Sequence, residues 1–172
     1  MTRIRIIVSI TTLVVLCAAA GHAQEKKIVM THVKYDGLKQ EVLKHRGKVV
    51  VVDFWATWCP SCMEAFPKFI DYQKKYADKG LVVIAVSLDS VDKEGAVDRA
   101  NKFLNKNNSP LRNLLLDEPS ELLEKQFNFV SLPFYYIFDR QGKWVRFRAA
   151  DYKDGVPYEE LEKIVVQMLS EK

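Results

Sequence analysis

An α/β fold built on a mixed sheet follows from three features of the chain. Residues 48–55 and 81–88 are strongly apolar runs rich in β-branched side chains, the pattern of strands buried on both faces. Amphipathic stretches separate and follow them. Late in the chain two alternating segments flank the turn signal Asp139-Arg140-Gln141-Gly142. Strand–helix alternation that ends in a hairpin and a helix implies a central mixed sheet with helices on both faces, an α/β sandwich.

Taken in order, residues 28–33 read as a short first strand and 37–45 as a helix ending near Gly47. Residues 48–55 are the first buried strand. The helix at 60–76 is expected to bend at Pro67 and to close at Lys79-Gly80. Residues 81–88 form the second buried strand. The segment 92–105 returns to helix with Val97, Ala100, Phe103 and Leu104 on one stripe. A loop at 107–110 precedes a short strand at 114–116 and a short helix at 120–127. Strands at 134–138 and 143–149 make the hairpin, and an amphipathic helix at 158–169 ends the domain.

Residues 1–23 read as an export signal. Arg3 and Arg5 begin it, residues 6–20 are apolar, and Gly21 and Ala23 supply small residues for cleavage before Gln24. The apolar run is shorter than the roughly 20 residues of a membrane span, which weighs against an uncleaved anchor. Leu16 is larger than the small residue expected before a lipidated cysteine, which weighs against lipidation at Cys17. Residues 24–172 then form one domain, without repeats or internal linkers and long enough for a substantial core. Loss of Arg3 and Arg5 lowers the net charge from +4 to +2. That excess makes no case for nucleic acid, and Lys74-Lys75 and residues 151–163 read as solvated faces.

Without the leader, the only cysteines are Cys59 and Cys62. A bridge across two residues constrains the unfolded chain very little, so a purely structural disulfide is a poor explanation. Zinc is a poorer one, because the pair gives two ligands and His32 and His45 lie upstream without ligand spacing. The cysteines instead fall where a strand gives way to a helix. There the unpaired N–H groups and the helix dipole favour a thiolate, the form that attacks disulfides. Cys59 is expected to be exposed at the helix mouth and to attack, with Cys62 shielded one turn inward and resolving the mixed disulfide. Pro60 suits the first turn. Asp53 interrupts the apolar run, and burial should raise its pKa so that it can take the proton from Cys62. Pro133 precedes an apolar strand, where proline belongs at a strand start or an edge.

Asp53-Phe54-Trp55-Ala56-Thr57-Trp58-Cys59-Pro60-Ser61-Cys62, with Phe66-Pro67 and the later Leu132-Pro133, resembles the thioredoxin superfamily. More narrowly it is similar to exported TlpA/ResA-type thiol–disulfide oxidoreductases over roughly residues 34–169. The resemblance implies a thioredoxin-like three-layer sandwich and a Cys59–Cys62 pair as the redox group, with no metal or further cofactor. It also implies a cis Pro133 against that pair, and a substrate surface of Trp58, Pro60, Leu132 and Pro133. Asp53 matches the buried acid of thioredoxins, often Asn in this branch, while Ala65 stands where the branch often carries Glu. The implied activity is reduction of disulfides in exported, periplasmic proteins, with electrons from a membrane dithiol donor and a possible tether through the N-terminal segment. An oxidase or isomerase of the same fold is the alternative enzyme, and a non-catalytic redox or metal-binding module the alternative class. Val52 and Ala56 stand where a Pro-x-x-x-Thr-x-x-Cys peroxidase motif needs Pro and Thr.

Overall fold

The computed structural model describes residues 27–128 and 131–171. The expected export signal and Val130 lie outside them. Six strands form one sheet: β1 (Thr31–Val33), β2 (Val49–Trp55), β3 (Leu81–Ser87), β4 (Arg112–Leu116), β5 (Phe134–Phe138) and β6 (Trp144–Arg148). Their spatial order is β1-β4-β3-β2-β5-β6. The first four run parallel, and β5 and β6 join antiparallel beside β2. β2 is therefore central, which explains why every one of its residues is buried.

Alternation along β2 divides the interior in two. Val49, Val51 and Trp55 belong to the larger core with Phe66 and Phe69 of α2 (Pro60–Tyr76), Ala100 and Leu104 of α3 (Ala96–Lys106), and Leu161 and Val165 of α5 (Tyr158–Ser170). Val50, Val52 and Phe54 face the smaller core with Leu38 of α1 (Tyr35–Leu43) and Leu123 and Phe127 of α4 (Ser120–Phe127). Helices thus cover both faces of a mixed sheet, and the fold is thioredoxin-like.

Several boundaries differ from those read in the sequence. α3 begins at Ala96, not at residue 92, because Gly95 takes φ +68° and breaks the backbone just before it. Residues 28–30 lie outside β1. Ile28 and Met30 donate their N–H groups to the side-chain oxygens of Asn105 and Asn101, so this stretch is strapped to α3 instead of to the sheet. α1 starts two residues earlier than expected, at Tyr35. By contrast α2 has the bounds read in the sequence, Pro60–Tyr76, and continues through Pro67, which has no N–H to donate to the carbonyl of Met63.

The end of the sheet remote from the cysteines is held by side chains that serve backbone groups. Gln73 accepts from Val83 N at 2.7 Å, fixing α2 against β3. Arg140 in the hairpin turn donates to the carbonyls of Gly47, Lys79, Leu169 and Glu171. One guanidinium thereby ties the β5–β6 turn to the starts of β2 and β3 and to the end of α5.

Candidate active site

Cys59 and Cys62 are joined by a disulfide with an S–S distance of 2.06 Å. Cys59 is the N-cap of α2, and its Sγ accepts the N–H of Cys62 at 3.2 Å. Ser61 Oγ lies 3.6 Å from the same sulfur. Pro60 occupies the first turn, where its missing N–H leaves no helical bond unmade. The helix start thus presents donors to the sulfur of Cys59, and these same donors stabilise a thiolate when the bond is reduced.

The expected exposure of Cys59 is not found. In the disulfide form it is 5% exposed and Cys62 2%. The bond holds both sulfurs under the loop, whose Ala56 carbonyl accepts Cys59 N–H at 3.1 Å. What reaches solvent is the rim: Trp58 is 57% exposed, and Pro60 and Ser61 are exposed beside it. The two cysteines therefore differ less in accessibility than in hydrogen bonding. Only Cys59 receives a backbone N–H from the first turn.

The loop that carries Trp58 is anchored by a residue the sequence reading passed over. Asp89, just beyond β3, accepts Thr57 N–H at 3.0 Å, the Thr57 hydroxyl at 2.5 Å and the Ser87 hydroxyl at 2.8 Å. It is a buried carboxylate satisfied on both oxygens. Its only local signal is an acid directly after an apolar strand, and nothing nearby in sequence points to Thr57.

Asp53 sits on the same face of β2 as Val51 and Trp55, the face that α2 and the disulfide cover. It is 2% exposed, and among the described residues its Oδ2 has no hydrogen-bond partner. Burial alone pushes its carboxyl well above the usual range, with no cation offsetting the effect. Trp55 Nε1 is likewise buried without a partner. Opposite Asp53 in register stands Tyr135, whose hydroxyl lies 3.0 Å from that of Tyr158. Desolvation first, and then the nearby Asp53 charge, raise the Tyr135 pKa. These tyrosines enclose the acid and were not identified from sequence.

The Leu132–Pro133 bond is cis. Phe134 pairs with Phe54, so Pro133 stands one step beyond, level with the end of β2 from which the cysteine loop departs. Ala149 donates to the Pro133 carbonyl at 3.1 Å. Leu132 is half-buried and packs against the core that contains both cysteines. All seven predicted site residues therefore gather at the carboxyl end of β2. Among the described residues no group of three or more His, Cys, Asp or Glu is placed to hold a metal, and no helix is long and apolar enough to cross a membrane.

Residues 25–147 match the AhpC/TSA family. Thioredoxin-like protein YneN of Bacillus subtilis is 35% identical over 106 residues, which span 62% of this chain and 59% of that one. Thiol-disulfide oxidoreductase ResA of Bacillus thuringiensis subsp. konkukian is 26% identical over 162 residues, spanning 85% and 88%. Among solved structures, a putative thiol:disulfide interchange protein DsbE from Chlorobium tepidum superposes with TM-score 0.55 at 32% identity, over 75% of this chain and 85% of that one. The capped Cys-x-x-Cys disulfide, the fold around it and these relatives agree: the chain belongs to the AhpC/TSA family, in the thiol–disulfide oxidoreductase branch that relatives named ResA and DsbE occupy.

Proposed function

We propose that this oxidoreductase acts outside the cytoplasm as a reductant of disulfides in other exported proteins, with Cys59 as nucleophile and Cys62 as resolving thiol. The observation that carries the assignment of roles is the N–H of Cys62 on Cys59 Sγ at the start of α2. In the reduced enzyme that contact favours a Cys59 thiolate, which attacks one sulfur of the substrate disulfide. The Cys59–substrate bond forms as the substrate's S–S bond breaks, and the first substrate thiolate leaves. Cys62 then loses its proton to the Asp53 carboxylate, and its thiolate attacks Cys59 Sγ. The Cys59–Cys62 bond forms, the second substrate thiolate departs, and the proton passes outward to it. Two electrons have moved from the enzyme to the substrate. Their replacement requires an external dithiol, which we assign to a membrane donor. Trp58, Pro60, Leu132 and Pro133 form the surface on which substrate lies, and the disulfide pair is the only redox group the cycle uses.

Two features support reduction as the net direction. No His or basic residue lies between the cysteines to over-stabilise the thiolate. The uncompensated Asp53 opposes further negative charge beside them. The leader-like residues 1–23 support export. Equilibration with glutathione buffers tests the direction: a potential near thioredoxin's, roughly −270 mV, is expected, and one near −120 mV makes the protein an oxidase. Cys62→Ser should accumulate a mixed disulfide with substrate while Cys59→Ser is inert. The reverse pattern would exchange the two roles.

A further inference from the structure

The face of the sheet turned away from the disulfide holds a cavity of about 380 Å³ that the redox chemistry does not use. Val50, Val52 and Phe54 of β2 form its floor with Tyr136 and Phe138 of β5. By strand alternation this is the reverse of the face that carries Val51, Asp53 and Trp55. Leu38 and Val42 of α1 and Phe127 of α4 close one side. Trp144 stands at the open side, 54% exposed, with its ring edge-on to Tyr136 at 5.0 Å. The volume and the apolar, aromatic lining suit a small molecule.

Charge at the rim selects the kind of molecule. Lys39, Arg46 and Lys48 line the opening. Among the described residues none of the three side chains has an acidic partner or a hydrogen bond. The carboxylate at the same rim, Asp139, turns its Oδ1 into the hairpin to accept the N–H groups of Gln141 and Lys143 but keeps its charge, so three cations face one carboxylate there. His45 adds a buried Nε2 with no hydrogen-bond partner, 3.9 Å from Glu41 Oε1. Arg46 is drawn over Gly142 so closely that a Cβ there would lie 2.6 Å from Nη1. The absent side chain is what lets the guanidinium lie across this edge of the cavity.

We propose that the cavity binds a small amphipathic carboxylate. Its alkyl or aryl body lies on Phe54, Tyr136, Phe138 and Trp144, and its carboxylate is held by Lys39, Arg46 and Lys48. The apolar contacts supply affinity, and the unpaired cations discriminate against neutral and cationic head groups. Because the sheet separates this site from Cys59 and Cys62, occupancy does not cover the Trp58 rim above the disulfide.

Decanoate, decanol and decyltrimethylammonium share one alkyl chain and differ in head group. Each is titrated below its micellar concentration into the oxidised full chain while the Trp144 indole N–H resonance, assigned by its loss in Trp144→Phe, is followed. Decanoate should shift that resonance saturably, decanol should bind about tenfold more weakly, and the ammonium should not bind. Arg46→Gln should weaken decanoate by about three- to fivefold and leave decanol unchanged. Equal affinity for decanoate and decanol, a resonance that decanoate does not move, or undiminished affinity in an Arg46→Gln, Lys48→Gln double variant overturns the proposal. A resonance that moves with protein concentration alone, together with a dimer mass in sedimentation, would give the groove to a second copy of the chain and also overturns it.

Discussion

Replacing Asp53 with asparagine should make the stability of the fold less sensitive to pH across the acid-to-neutral range. The carboxyl is 2% exposed, its Oδ2 has no partner among the described residues, and desolvation alone raises its pKa. In the unfolded chain the same group returns to about its ordinary 3.8. Between that value and the raised native one, the folded state holds a proton that the unfolded state has released. Stability contributed by the protonated form is therefore complete below pH 3.8 and lost as pH rises through the native pKa. The loss approaches about 1.4 kcal/mol for each pH unit inside that window. Asparagine has a similar shape and no titration, so the difference between variant and parent isolates this group. Urea unfolding of both oxidised proteins from pH 3.5 to 8 measures it. The stability difference should be flat at the acid end, grow in favour of Asp53→Asn with that slope, and level off once the native carboxyl ionises. Parallel stability profiles would refute the reasoning, because they would mean Asp53 is as well solvated in the fold as in the unfolded chain.

Three further perturbations follow from the packing. Asp89→Ala leaves the Thr57 N–H and the hydroxyls of Thr57 and Ser87 without their buried acceptor. It should lower unfolding stability by about 2–4 kcal/mol and slow insulin reduction, and full activity would show that the Trp58 loop holds its shape unaided. Arg140→Ala removes four carbonyl contacts that water can partly replace, a loss of about 1–2 kcal/mol in urea unfolding with unchanged exchange kinetics. A loss of stability too small to measure would mean the turn is held by its backbone bonds alone. Phe69→Ala empties a fully buried site where the ring stacks on Tyr135 at 4.8 Å, and should cost about 3–5 kcal/mol in thermal or urea melts. A cost below 1 kcal/mol would show that α2 collapses into the space.

Local chemistry determined a large part of this protein from sequence alone. The run at 49–55 had to be a strand buried on both faces, since no alternation of polar residues gives it a wet side. Pro60–Tyr76 and Ser120–Phe127 have the predicted bounds, because capping and turn residues mark their ends within a few positions. The spacing of Cys59 and Cys62 at a strand-to-helix junction announced a disulfide on a helix terminus. A carboxylate inside an apolar run announced its own burial. Tertiary structure alone decided the rest. The anchoring of Thr57 by Asp89 joins residues 32 positions apart, and the placement of Tyr135 and Tyr158 around Asp53 depends on β5 pairing with β2 and on where α5 packs. The low exposure of Cys59 depends on how the loop folds over the sulfurs, and the cationic cavity on how far α1 and α4 extend over the sheet. Local propensity acts through neighbours a few residues away, whereas burial, unpaired polar atoms and cavities are set by which distant segments meet.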